Sequence, residues 1–460
     1  MAASIEQVNM TEGALLPKVL RFSLPLAATG VLQLLFNAAD VIVVGKFAGA
    51  TALAAVGATT ALINLLVNAF MGISVGVNIL VARYLGCRED ERVRACVHTS
   101  FALSLLLGLI VMLAGLTLST PILELMSTPE DVLPLSSLYL RIYFIGIPGT
   151  IMYNFGAALL RAFGDTKRPM LFLTVSGVIN ACLNLFFVLV CGMSVDGVAT
   201  ATVISQYISL FLVVRCLCRS EGLSHLELKS IRLNREESLR MIQIGLPAGL
   251  QSTLFSISNV LIQSSVNSFG ASVVAASTAS ASIEGFVYTA MNAVFHAAIT
   301  FTSQNLGAGR IDRIKKVLGA CTVTVLLIGV PLCLICHFFG MSLLSIYVSS
   351  SDATYETVIR DGMIRLHCIA CDYYICGLME VMCGMVRGLG KSWLPMFVTG
   401  VGACLSRIIW IYTVFQTFHT PRVLYLSYPM SWVLTLVMHS ACFLVIYRQY
   451  EKRRGARAAA

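Results

Sequence analysis

The sequence predicts an all-α polytopic membrane protein, with twelve transmembrane helices in two pseudo-symmetric six-helix bundles. Three observations predict it: a composition too apolar for water, twelve apolar runs of spanning length, and short motifs that recur in the two halves. Of 460 residues, 57% are hydrophobic and 12% are charged, and the mean hydropathy is +0.83. Soluble domains carry about 25% charged residues. This chain lacks the polar atoms to coat a surface in water, so lipid must be its main solvent.

A hydrocarbon core of about 30 Å needs roughly 20 helical residues. The runs that meet this length lie at 15–44, 53–82, 95–119, 134–160, 169–191 and 197–217 in the first half. In the second half they lie at 240–268, 273–305, 317–345, 359–386, 393–417 and 423–447. The first fourteen residues show no cleavable signal pattern, so the first helix itself is expected to direct insertion.

The net charge of +9 does not point to nucleic acid, because the basic residues are not on one patch. They cluster in alternate loops, as in Arg83 to Arg94, Arg161 to Arg168, Arg215 to Arg240, Arg310 to Lys316 and Arg448 to Arg454. The opposite loops hold Glu124, Glu130, Asp131, Asp196, Asp352 and Glu356. Basic loops stay in the cytoplasm, so a cell-membrane location with both termini cytoplasmic is expected. The 15 cysteines, among them Cys182, Cys333, Cys336, Cys376 and Cys404, are scattered through apolar runs. They are expected to serve as packing residues, with neither a metal site nor a disulfide framework.

The halves echo each other in order. "SLPLA" from Ser23 returns as "GLPAG" from Gly245, and "FAGA" from Phe47 returns as "FGAS" from Phe269. "RAFGDTKRPM" from Arg161 returns as "RGLGKSWLPM" from Arg387, with Arg, Gly, Pro and Met at matching positions. An even number of spans per copy inserts both copies the same way up, related by an axis along the membrane normal. The expected domains are an N-lobe at 1–217, a cytoplasmic linker at 218–239 and a C-lobe at 240–460.

No G-x-x-x-x-G-K-S/T loop and no H-E-x-x-H helix is present. No enzyme activity and no cofactor are therefore expected. A single chain without partner subunits is expected. Attention falls instead on polar side chains inside the spans, which are costly there and functional by default. Asp40 stands first, within "FNAADVIVVG". Desolvation would favour its neutral form and bring proton exchange near physiological pH. The alternative is a structural carboxylate hydrogen-bonded to a neighbouring helix.

Asn180 and Asn184 are four apart on the fifth run and share a helix face. Asn154 and Thr202 could join them around a polar pocket, or all four could be interhelical hydrogen-bond glue. In the second half Glu284, Asp372, Glu380, Arg365 and Arg407 fall within apolar runs. They could form ion pairs that lock that half, or line a cavity that attracts cations. The histidines at 296, 337, 367 and 439 fit packing or hydrogen bonding, with proton relay as the other reading.

Taken in order, "SLPLA", "NAADVIVVGKFAGATALAAVG", "RAFGDTKRPM", "QNLGAGR" and "EVMCGMVRGLGKSWLPM" resemble the multidrug and toxic compound extrusion (MATE) family, DinF-like branch, over nearly the whole chain. The resemblance implies a two-lobed antiporter that exports cationic or amphipathic small molecules in exchange for H⁺ or Na⁺ by rocking of the lobes. By position, Asp40 matches the family's coupling aspartate, and Asn154, Asn180 and Thr202 match polar partners of an N-lobe cation site. Glu284 resembles an acidic position common on the eighth helix, and with Asp372 and Glu380 it is a candidate for the substrate cavity. The family often has Asp where this chain has Asn184. One charge fewer weakens Na⁺ coordination and favours H⁺ as the coupling ion. A flippase for a lipid-linked sugar is the runner-up; it should show several cavity cations, for which Arg141, Arg365 and Arg407 are the candidates.

Overall fold

The computed structural model describes residues 9–126, 128–348 and 355–459; Asp352 of the expected acidic loops lies outside them. The described chain is helical throughout. The first six crossings are α1 (Leu15–Val43), α2 (Ala50–Cys87), α3 (Asp90–Leu125), α4 (Leu133–Ala162), α5 (Lys167–Leu185) and α6 (Val195–Arg219). The next three are α7 (Arg235–Asn267), α8 (Ala271–Gly307) and α9 (Ile311–Leu344). A tenth is broken into α10 (Tyr355–Cys368) and α11 (Tyr373–Gly388) by a 3₁₀ turn at Ala370–Asp372. The eleventh is fragmented into α12 (Trp393–Thr399), α13 (Ser406–Tyr412) and α14 (Val414–Thr417), with a π-helical stretch at Gly400–Leu405. The last is α15 (Pro421–Ala459).

Ten of these crossings are long and apolar enough by composition alone to span a membrane. The other two are α7 and α8. The first turns of α7 carry Arg235, Glu236, Glu237 and Arg240, and α8 is rich in Ala, Ser and Thr. Small residues lower hydropathy but let helix backbones approach closely.

The repeat is visible in the backbone. Gly49 precedes α2 at φ 92°, and its counterpart Gly270 precedes α8 at φ 92°. Gly164 at φ 90° and Gly390 at φ 87° turn the chain in the two "RAFG" and "RGLG" segments. This left-handed region strains any residue with a Cβ, which is why glycine recurs at both places.

Two compact units result. Ala28–Gly249 belong to one, and Met10–Ala27 with Leu250–Ala460 belong to the other. The membership thus changes inside α1 and inside α7, two residues beyond Pro25 and Pro247. These limits differ from the expected lobes at 1–217 and 240–460, because the first part of each repeat's leading helix groups with the other repeat. A helix-interior proline removes one backbone hydrogen bond and marks the natural place for such a change.

In the first unit α2 and α7 cross through two G-x-x-x-G pairs. A Cβ on Gly72 would collide with the backbone of Gly249, and one on Gly76 with the carbonyl oxygen of Met241. One on Gly245 would lie 2.5 Å from the Ile73 Cα. Elsewhere in this unit a Cβ on Gly115 would overlap the Phe144 ring, which brings α3 against α4. In the second unit the opening of α1 rests on α8, where Phe22 and Phe301 meet edge to face at 5.7 Å.

The segment between α6 and α7 is docked rather than free. Leu226 is 1% exposed, and its backbone N–H donates to the Leu217 carbonyl. The Glu227 N–H donates to His98 Nε2 at 3.2 Å, and the Asn234 N–H to Thr99 Oγ1 at 3.4 Å. Buried Glu237 then accepts from the Tyr84 hydroxyl at 3.0 Å. Among the singled-out cysteines, Cys333, Cys336, Cys376 and Cys404 are buried as packing residues should be, whereas Cys182 is exposed.

Candidate functional site

Asp40 lies on α1 just before the helix widens into a π turn at Val44–Ala48. Asn180 and Asn184 lie on α5, which widens into its own π turn at Phe186–Val190. Single π turns inside α-helices often mark functional sites, because the extra residue re-aims nearby side chains. Here two of them flank one carboxylate.

Asp40 Oδ1 accepts from Asn184 Nδ2 at 2.5 Å. In the amide orientation that satisfies both of its ends, Asn180 donates to the same Oδ1 at 2.9 Å and accepts from the Thr202 backbone N–H at 3.3 Å. The Thr202 hydroxyl donates to the Val198 carbonyl at 2.9 Å, so Thr202 reaches the cluster through its backbone. Asn184 is 0% and Asn180 is 6% exposed, while Asp40 is half-buried. The buried Asn184 Oδ1 has no hydrogen-bond partner. A carboxylate is thus held by neutral amides, beside an acceptor open to a proton donor or a cation.

Tyr139 on α4, buried beside Tyr143 with ring centroids at 6.2 Å, lies within electrostatic range of Asp40. Nothing in the sequence singled it out, since a tyrosine near the start of an apolar run reads as an interfacial anchor. Asn154 does not join the cluster. It lies fifteen residues beyond Tyr139, a rise of roughly 22 Å at 1.5 Å per residue. Its amide donates to the Thr150 carbonyl of its own helix at 2.9 Å. With Phe70, Met71, Ile147 and Thr150 it lines a separate small apolar pocket, where the Thr150 hydroxyl is buried without a partner.

The second unit treats its three acidic residues differently. Glu284 is locked to Arg365: Nε donates to Oε1 and Nη2 to Oε2, each at 2.8 Å. Arg365 Nη1 donates to Ser277 Oγ at 2.7 Å, and its guanidinium lies 5.3 Å from the Tyr425 ring centroid. Both side chains are buried. Of the two readings open in the sequence, Glu284 follows the ion pair. Asp372 sits, partly exposed, in the turn that breaks the tenth crossing. Glu380 is buried on α11, two turns from Arg387, which donates to Gln251 Oε1 at 2.5 Å.

The MatE family model matches residues 25–186 and 247–413. "Probable multidrug resistance protein YoeA" of Bacillus subtilis (strain 168) is 28% identical over 448 residues, 94% of each chain. "FAD transporter" of Shewanella oneidensis is 25% identical, over 72% of this chain and 74% of that one. The solved structure titled "Outward-facing conformation of a multidrug resistance MATE family transporter of the MOP superfamily" matches with a TM-score of 0.87 at 20% identity. The match covers 98% of this chain and 100% of that one.

Proposed function

The chain belongs to the MatE family, and from that premise we propose that it is a secondary antiporter exporting cationic or amphipathic small molecules in exchange for protons. The site supports this through one observation: Asp40 is a lone carboxylate in a cradle of neutral amides inside a membrane helix. Such a group keeps its charge only where water or a cationic partner reaches it, so its protonation biases one conformation over another. The cycle runs as alternating access. Ionised Asp40 holds the outward-facing form with a cationic substrate bound. A proton arriving from outside neutralises it and favours release, and the inward-facing form yields that proton to the cytoplasm. Both termini then face the cytoplasm of a cell-membrane protein, as the basic loops require.

Protons suit this site better than Na⁺. A hard cation needs several oxygen ligands with negative charge among them. Here two amide nitrogens already occupy Asp40 Oδ1, and Asn184 contributes no charge. The name of the Shewanella oneidensis relative keeps amphipathic metabolites within the substrate class beside apolar cations. The flippase reading has less support. Arg365 is paired with Glu284, Arg407 donates to Ser431 Oγ at 2.9 Å, and Arg141 donates to Thr120 Oγ1 at 3.2 Å.

The test is efflux of a fluorescent cationic dye from proteoliposomes under separately imposed pH and sodium gradients. Asp40→Asn should lower pH-driven efflux by about 5- to 150-fold, the range of typical coupling free energies. Undiminished efflux by that variant removes Asp40 from the coupling role. Restoring a second carboxylate with Asn184→Asp should make efflux respond to the sodium gradient, to which the unaltered protein stays insensitive.

A further inference from the structure

We propose that the end of α15 and the start of α9 form a seat for an anionic phospholipid. Its phosphate would lie on Lys316, Arg448 and Lys452, and its acyl chains along the apolar stripes that run on from them. All of these residues belong to the second unit.

The two helix ends are braced against each other. Lys315 Nζ donates to Glu451 Oε1 at 3.3 Å, and Arg454 Nη1 donates to Asp312 Oδ1 at 3.2 Å. The buried Tyr447 hydroxyl donates to the Ile311 carbonyl at 3.3 Å, and Lys315 Nζ lies 4.4 Å from the Tyr447 ring centroid. The Tyr450 hydroxyl donates to the Leu389 carbonyl at 3.1 Å. These contacts hold α15 in place past the end of its apolar run at residue 447. They also occupy Lys315 and Arg454. Lys316, Arg448 and Lys452 are exposed, and among the described residues none of the three is ion-paired.

Helix geometry sets where these three cations point. At 3.6 residues per turn, positions 430, 434, 437, 444, 448 and 452 share one face. On that face Met430, Leu434, Val437 and Leu444 are exposed. In a membrane helix such an uncovered apolar stripe meets lipid tails, which are as apolar as leucine. Arg448 and Lys452 continue the stripe by one turn and then by a second. On α9 the exposed Val323, Leu327 and Leu334 form the corresponding stripe. Gly319, where a Cβ would meet nothing within 4 Å, and then Lys316 extend it toward the start of the helix. Lys316 and Arg448 each stand just outside the apolar runs 317–345 and 423–447, at the depth of the lipid headgroups.

A phosphate diester at that depth meets three cations while the tails of the same molecule lie on two apolar stripes. Long basic side chains reach such headgroups by laying their methylene stems along apolar surface, and basic segments beside a membrane attract anionic lipid. A zwitterionic lipid brings its own ammonium group to the same place, and a free phosphate has no tails for the stripes. Arg453 is also exposed, but it lies about 100° round the helix from Lys452 and off the stripe.

The test titrates the full-length protein, in a nonionic detergent, with dioleoylphosphatidylglycerol and separately with dioleoylphosphatidylcholine, and reads bound lipid by native mass spectrometry. The anionic lipid should bind more tightly; equal binding of the two overturns the seat without recourse to any variant. Lys316→Gln, Arg448→Gln and Lys452→Gln should each weaken binding of phosphatidylglycerol about fivefold, the effect of one basic residue near a membrane surface. Each should melt at the temperature of the unaltered protein when no lipid is added. Arg453→Gln should leave lipid binding unchanged. A loss from Arg453→Gln as large as that from Arg448→Gln would mean diffuse attraction to the whole basic end and overturn the assignment. Inorganic phosphate competing as strongly as the lipid would do the same, because the apolar stripes would then contribute nothing.

Discussion

Replacing Arg365 with methionine is expected to lower stability by about 3–5 kcal/mol, because it leaves Glu284 charged, buried and unpaired. Glu284 loses both guanidinium hydrogen bonds at once, and nothing else described reaches its carboxylate as closely. Replacing both partners, as Glu284→Leu with Arg365→Met, is expected to recover most of that loss. A buried ion pair roughly breaks even against apolar residues of similar volume. Thermal unfolding of the detergent-purified protein reads both results. A double variant as unstable as the single one would show that the remaining contacts of Arg365, to Ser277 and the Tyr425 ring, matter more than the charge pair. Dye efflux by a stable double variant then separates the two roles of Glu284: retained efflux marks a structural pair, and lost efflux marks a substrate contact.

Glycine to alanine at position 76 is expected to destabilise the protein by about 1–3 kcal/mol, the usual cost of overpacking. The colliding atoms are backbone, the Met241 carbonyl and Gly245, so no side chain can turn aside to make room. The control is Gly319→Ala on α9, where a Cβ meets nothing within 4 Å. There the same change should stabilise by up to about 1 kcal/mol through helix propensity. Opposite signs for one substitution, measured by the same melting assay, would establish that the α2–α7 contact depends on bare backbone. Equal signs would refute it.

Much of this was legible in the chain. Hydropathy and the alternation of basic loops predict the twelve crossings, and the recurring short motifs predict a repeat that the matching φ values of Gly49 and Gly270 show in the backbone. The four-residue spacing of Asn180 and Asn184 placed both on the face that meets Asp40. Helical periodicity says nothing about depth along a neighbouring helix, so it could not separate Asn154, whose amide donates to Thr150 of its own helix, from the Asp40 cluster. The membership change inside α1 and α7 was hidden because composition does not shift there. Nor does composition reveal the fragmentation of the eleventh crossing, since π turns and α-helix use the same apolar residues.

The docked segment between α6 and α7 bears on how the two repeats can be manipulated. A reporter domain spliced near Leu226 would have to evict a buried leucine and two backbone hydrogen bonds. Severing the polypeptide there would leave its ends gripped in place rather than let the pieces drift apart. The stretch between the repeats is a seam sewn to the first unit.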